Sequence, residues 1–280
     1  MKWNKCIRLE WYKMFHRRYF WIAFSLSLLT CLLSAWYQID YYLLSKQELL
    51  DFEAIQVNSL YNSWIGGEYV SLGYTLFFYL SPLLSMLPYG WAYAEEKKSG
   101  YEKMIILKIG RKHYFFSKYL VNFISGGLVL LLPAVINILL VACFIPAITP
   151  DITEDIYYPV FANSMGAVWY FTYPFLHMLL YLVLYFIFGG LFACLAYSVS
   201  CFFANKLITL LGTYAVFLIW NEASTVLNSR TDSEFSILKF LHETDTEYHT
   251  NGWIVLLAIL LLFFISGLKI WRTCAKYEDI

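Results

Sequence analysis

Charge is what this chain has least of. Only 14% of its 280 residues are charged, while 60% are hydrophobic. A soluble domain carries about a quarter charged residues, so one aqueous core could not hide this much apolar surface. Catalytic motifs are missing as well. There is no GxxxxGK[ST], so nothing here cradles nucleotide phosphates as a P-loop does. His242 and Glu243 open like a zinc motif, but the next histidine is His249 and HExxH fails. No Ser-His-Asp or Ser-Lys pattern is visible. The chain is expected not to be an enzyme, with no catalytic residue, no metal site, no bound cofactor and no nucleic-acid partner. The six cysteines stand in apolar blocks or the basic termini, never in a CxxC, and are expected to be free thiols.

What is present is length without charge. Six blocks lack Asp, Glu, Lys and Arg: Tyr19–Tyr37, Val70–Ala94, Tyr119–Ile148, Val168–Ser200, Leu207–Asn221 and Gly252–Leu268. A charge at the centre of a spanning helix costs about 2.5–3.5 kcal/mol. About 20 apolar residues cross a hydrocarbon core of roughly 30 Å. In lipid the backbone must bond to itself, and the blocks show no barrel-like alternation, so helices are expected. The fold expected is an all-α membrane protein of six transmembrane helices forming one domain, residues 1–280. The boundary that composition marks least sharply lies between the fourth and fifth blocks, near Ser198–Lys206.

The charges that remain are sorted. Residues 1–18, 95–118, Lys206 and 269–280 hold all the Lys and Arg except Lys46, Arg230 and Lys239. Residues 38–69, 149–167 and 222–251 hold all the acids except Glu10, Glu95, Glu96, Glu102, Glu278 and Asp279. The positive-inside rule then places both termini in the cytoplasm of a bacterial inner membrane, and an even number of crossings agrees. On a helical wheel Trp3, Ile7, Trp11 and Met14 share a face, so residues 1–18 read as an amphipathic helix on the inner leaflet or as a basic anchor flank. In the acidic segment 222–251, Phe235, Ile237, Leu238, Phe240 and Leu241 surround Lys239 and suggest a stretch dipping back into the interface.

Polar and kinking residues inside the blocks are the candidate conduit or gate. Ser81, Pro82, Ser85 and Pro88 would kink the second helix, as a pliable wall or as a static bend. Asn137, one turn after Pro133, allows the same two readings, and Asn221 closes the fifth block. His177, three residues after Pro174, stands as the ionisable group near mid-membrane. It is a bonded bundle residue or part of a substrate or proton path. Trp21, Trp91, Trp169, Trp220, Trp253 and Trp271 flank blocks as an interfacial belt would.

Bases outnumber acids in segment 95–118, which also carries the apolar run Met104–Leu107. Such a run suits a helix that docks on another protein, or one that lies on the membrane surface. The order Glu95 or Glu96, Gly100, Glu102, Ile105–Leu107, Arg111 and Lys118 resembles the cytoplasmic loop of ABC transporter permeases of the type-2 exporter family. Tyr101 stands where that family often has a small Thr, and Ile109–Gly110 replaces a frequent Pro-containing turn. The overall plan of the chain is similar to that family too.

The resemblance implies a homodimer or heterodimer of permeases over two ABC ATPase subunits, with ATP and Mg bound on those partners. It implies a cytoplasmic coupling helix formed around Glu96, Gly100, Glu102, Met104, Ile105, Ile106 and Arg111. It also implies a conduit from the first, second and fifth helices at the dimer seam, and a semi-re-entrant last outer loop. The function expected on this basis is ATP-driven export of an amphipathic or hydrophobic cargo such as a peptide, antibiotic or lipid. Two other readings are a non-transporting membrane sensor or assembly protein that docks a cytoplasmic partner through 95–118, and an intramembrane enzyme built on His177.

Overall fold

The structure is a computed structural model and describes residues 2–48, 58–150, 160–161, 163–244 and 247–276. It is all-helical. Among the described residues the only β feature is an isolated bridge between Ser233 and His249. The helices are α1 (Lys2–His16), α2 (Arg18–Glu48), α3 (Leu60–Ser63), α4 (Leu72–Met86), α5 (Ala92–Ser99), α6 (Tyr101–Ile109), α7 (Arg111–Ala142), α8 (Ala167–Thr172), α9 (Pro174–Ser200), α10 (Lys206–Thr231) and α11 (Gly252–Lys276). A 3-10 turn, Lys239–Leu241, lies between the last two. Five of them (α2, α7, α9, α10 and α11) are long and apolar enough to cross a membrane. The chain is a membrane protein.

The bundle has a basic end and an acidic end. Residues of α1, α5, α6, the start of α7 and the tail of α11 pack together at the first, where Ile270 joins Tyr93, Tyr114 and Tyr197. At the other end the segments around Glu68 and Glu243 meet α2, α4 and α9. The long helices run alternately between the two, with α4 and the turns of residues 87–91 making the second pass.

That second pass departs from the expected single kinked helix. Pro82 lies inside α4, but Pro88 lies beyond it, in the turns of residues 87–91 that separate α4 from α5. Proline cannot donate the next helical hydrogen bond, and it commonly follows a helix end. The 15 residues of α4 span about 22 Å, short of a hydrocarbon core of roughly 30 Å.

Two other boundaries move. The fourth block, begun at Val168, is split at Tyr173: α8 stops there, and Pro174 opens α9 at the position where its missing N–H costs nothing. The fifth block, ended at Asn221, continues as helix to Thr231. Glu222 and Arg230 are exposed, so their charges do not interrupt it. Asn205 caps the start of α10, accepting from the Leu207 N–H at 3.0 Å.

α7 and α9 pack backbone against backbone, and glycine is the reason. A Cβ on Gly126 would sit 2.3 Å from the Gly189 carbonyl oxygen and 2.7 Å from the Ala193 Cβ. Gly127 and Gly190 are covered in the same way by Phe186 and Phe123. Small residues let backbones approach where lipid offers no hydrophobic drive between helices.

Aromatics fill the rest. Trp21, Trp169, Trp220, Trp253 and Trp271 are exposed, as a belt requires, but Trp91 is buried against Tyr19 with ring centroids 4.7 Å apart. Beneath Arg17 and Lys206, at 5.2 and 5.5 Å from its ring, Trp91 is a packed cation–π platform and no interfacial anchor. All six cysteines are free.

Candidate functional site

α1 does not use its Trp3–Ile7–Trp11 face as its main packing surface. The fully buried stripe is Cys6, Glu10 and Met14, one helical turn apart, while Trp3, Ile7 and Trp11 are half-buried beside it. Glu10 is thereby driven into the bundle, where a lone carboxylate would be untenable.

It is not alone. Glu10 accepts from Lys13 Nζ at 2.9 Å and from the Tyr89 hydroxyl at 2.5 Å, with Lys118 Nζ 3.5 Å away. Glu96, from α5, accepts from Lys13 at 3.1 Å, from Lys118 at 2.6 Å and from the Tyr114 hydroxyl. Two carboxylates and two ammonium groups therefore balance in one buried cluster that joins α1, α5 and α7. Lys118 is completely buried, 5.3 and 5.2 Å from the ring centroids of Tyr89 and Tyr114. Burial pushes the Glu96 carboxyl up, but Lys118 and Lys13 outweigh it and hold the group down at about 2. Burial lowers Lys13, and Glu10 and Glu96 more than restore it, so its ammonium is stabilised. At the rim, Arg17 meets Glu95 at 3.1 Å and Lys97 donates to the Cys201 carbonyl at 2.9 Å.

From this anchor the chain turns sharply. Gly100 takes φ +72° with nothing within 4 Å of a would-be Cβ, so the left-handed backbone itself is what calls for glycine. α6 then presents two faces. Glu102 and Ile105 turn inward, Ile105 against a cluster that includes Tyr93, Tyr114 and Ile270, and Ile106 is half-buried beside it. Met104 and Leu107 point out, with Leu107 87% exposed. Gly110 (φ +95°) ends α6, and Arg111 opens α7. All the expected coupling residues but Arg111, which opens α7, thus share one two-helix element, with Glu96 at its root and Met104 on its exposed side.

The conduit candidates are not brought together. Ser81 and Ser85 are buried and bond back to the carbonyls of Phe78 and Ser81 in their own helix. Asn137 is a clamp: its Nδ2 donates to the Cys31 carbonyl at 2.8 Å, and its Oδ1 accepts from the Ile65 N–H at 2.9 Å. Asn221 accepts from the Ser236 hydroxyl at 2.5 Å. His177 is not midway along a helix. It lies in the first turn of α9 at the acidic end, because the helix begins only at Pro174. There its Nδ1 is 2.8 Å from Glu243 Oε1, and its Nε2 is 3.1 Å from the Met165 carbonyl.

Three consecutive residues fasten segment 232–244 to that end. His242 Nδ1 bonds the Tyr74 hydroxyl, Glu243 holds His177, and Thr244 Oγ1 donates to the Glu68 carbonyl at 3.0 Å. Glu68 in turn accepts from Ser34, Ser71 and, at 2.7 Å, Gln38. Burial pushes the carboxyl groups of Glu68 and Glu243 up, against the pull of those partners. Leu238, Phe240 and Leu241 are buried, and Phe240 reaches Phe188 of α9 at 6.2 Å. His242 and Glu243 are thus committed to fastening the segment.

Sequence reasoning passed over Glu10, Lys13, Tyr89 and Tyr114, and at the acidic end Glu68 and Tyr74; it weighed Glu243 only as part of a zinc motif. One signal was available: Glu10 is the lone acid in a strongly basic first 18 residues. Comparison with known proteins adds little to the geometry. No family model matches this chain, and no solved structure does. The chain is similar to a Bacillus subtilis (strain 168) protein described as uncharacterized protein YybM, 28% identical over 184 residues that cover 66% of this chain and 67% of that protein.

Proposed function

We propose that this chain is the membrane-spanning subunit of an ATP-driven ABC exporter in a bacterial inner membrane. The observation that carries the reading is the α5–α6 element: a two-helix excursion at the basic end, rooted through Glu96 in α1 and α7, with Met104 and Leu107 exposed on its far side. A force on α6 would pass through the buried ion cluster into both the first helix and a spanning helix. ATP hydrolysis, with its Mg, belongs to a separate subunit, present twice beneath a pair of permeases.

In this reading both termini are cytoplasmic, α1 lies at the inner leaflet, and α4, continued by the turns of residues 87–91, is the second of six crossings. The fastened segment 232–244 closes the outer side. A second feature supports it. α2, α4 and α10, the first, second and fifth apolar blocks, enclose a groove of about 400 Å³ walled almost wholly by leucine, including Leu29, Leu76, Leu83 and Leu210. Such a wall suits a hydrophobic or amphipathic cargo, or the seam to a second permease.

The test is Met104→Asp with Leu107→Asp. Both side chains are exposed, so the double variant inserts and folds as the parent does. Recovery of the ATPase with the tagged chain is expected to fall at least about ten-fold, because each lost apolar anchor is worth 1 kcal/mol or more at an interface. Undiminished recovery removes α6 as the docking element. Charge reversal at Glu102 or Arg111 is expected to leave insertion intact and uncouple transport.

A further inference from the structure

At the acidic end the bundle holds a cavity of about 170 Å³ between α4, α10 and the segment after α10. Its floor is buried and apolar: Phe78, Leu238 and the ring of Tyr74. Its mouth is flanked by Tyr69 and Tyr79, each about half exposed. The volume is close to that of a 150 Å³ cavity that accepts benzene.

The wall carries one charge. Lys239 is half-buried and lines the cavity, and among the described residues it has no ion-pair partner. Acids stand near it in sequence, but they are engaged elsewhere. Glu234 accepts from Asn228 Nδ2 at 2.6 Å and from the Ser236 N–H at 2.8 Å, and Glu243 holds His177. The other ionisable wall group is His242. Burial, with Lys239 beside it, brings its imidazole down to about 3, so it is neutral at physiological pH. The 3-10 turn Lys239–Leu241 and the His242–Tyr74 bond fix the strand of chain that carries the lysine. An aromatic-lined cavity with a single ammonium at its side has the chemistry of a pocket for a ring-bearing anion.

We propose that this cavity binds a small aromatic carboxylate, with its ring between Tyr74, Phe78 and Leu238 and its anionic group on Lys239. The site does not depend on the transport reading. A sensor would use it as readily as an exporter.

The experiment is calorimetric titration of the purified full chain in a mild non-ionic detergent with benzoate, with benzyl alcohol and acetate as matched ligands lacking the charge or the ring. Saturable benzoate binding is expected, at least about ten-fold tighter than either control, since hydrogen bonds to a charged group contribute about 1.5–3 kcal/mol. Lys239→Met is expected to remove that advantage, and Lys239→Arg to keep it. Thr75→Trp, at an exposed position on the wall, is expected to fill the cavity and abolish binding without disturbing the fold. Equal binding of benzoate and benzyl alcohol, unchanged binding by Lys239→Met, or no saturable benzoate binding would each overturn the proposal.

Discussion

Lys118→Met is expected to lower stability by about 3–5 kcal/mol, the cost of removing one partner from a buried ion network. The side chain is fully buried, and its ammonium stands between Glu10 and Glu96. Without it both carboxylates must share Lys13, and Tyr89 and Tyr114 can donate only one hydrogen bond each. At roughly 2–4 °C per kcal/mol for a chain of this size, the unfolding midpoint in detergent should drop by about 10 °C. Adding Glu10→Gln and Glu96→Gln should recover much of the loss, because a buried ion network replaced as a whole by neutral groups is often close to neutral. An unchanged midpoint in the single variant would show that the cluster is hydrated. The pH dependence has a defined sign. Glu96 has its carboxyl held below the ordinary value of 4.5, down at about 2. Its contribution is therefore complete above about pH 4.5 and is lost as pH falls through about 2. In Lys118→Met that loss should begin at higher pH, read as a shift in the acid limb of the unfolding curve.

Gly126→Leu should be as severe by a different route. The new Cβ would meet the Gly189 carbonyl oxygen at 2.3 Å, and that atom belongs to the backbone of a helix that cannot yield locally. Overpacking in a well-packed core costs about 1–3 kcal/mol, and a contact against backbone costs more because the helices must part. The expected result is a chain that accumulates poorly and resists purification. Gly212 is the control: it lies in α10 with nothing within 4 Å of its would-be Cβ. Gly212→Leu should be neutral or slightly stabilising, since glycine costs about 1 kcal/mol in a helix interior. Equal tolerance at both positions would mean that α7 and α9 do not approach this closely.

These two sites mark where sequence reading succeeds and where it stops. The charge-free blocks located α2, α7, α9 and α11, because the cost of a charge in lipid acts on composition and needs no tertiary information. The same criterion cut α10 short at Asn221: it cannot tell an exposed Glu222 on a continuing helix from the start of a loop. It also ran α4 on past Pro88 to Ala94 and joined α8 to α9 across Tyr173, since a break in the backbone need not break apolarity. The gathering of Glu96, Gly100, Glu102 and Met104 into one element was legible because those residues are close in sequence. The pairing of Glu96 with Lys13 and Lys118 and of Glu243 with His177 was not, because the partners lie on different helices and each looks like an ordinary surface charge or a lone histidine. The bonding of the conduit candidates was not legible for a related reason. A serine or asparagine in an apolar block advertises polarity, but only the fold shows that Ser81 and Ser85 spend theirs on their own helix and Asn137 on fastening α2 to the segment at Ile65.

The measurement that tests the central claim most directly is purification of the tagged chain from its native host in mild detergent, with mass spectrometry of the partners present in stoichiometric amounts. The account predicts an ATPase carrying GxxxxGK[ST], two copies per complex, with ATP hydrolysis that depends on the chain. Recovery of the chain alone, or with a partner that has no such motif, would contradict it and favour a non-transporting sensor or assembly protein that docks through α6.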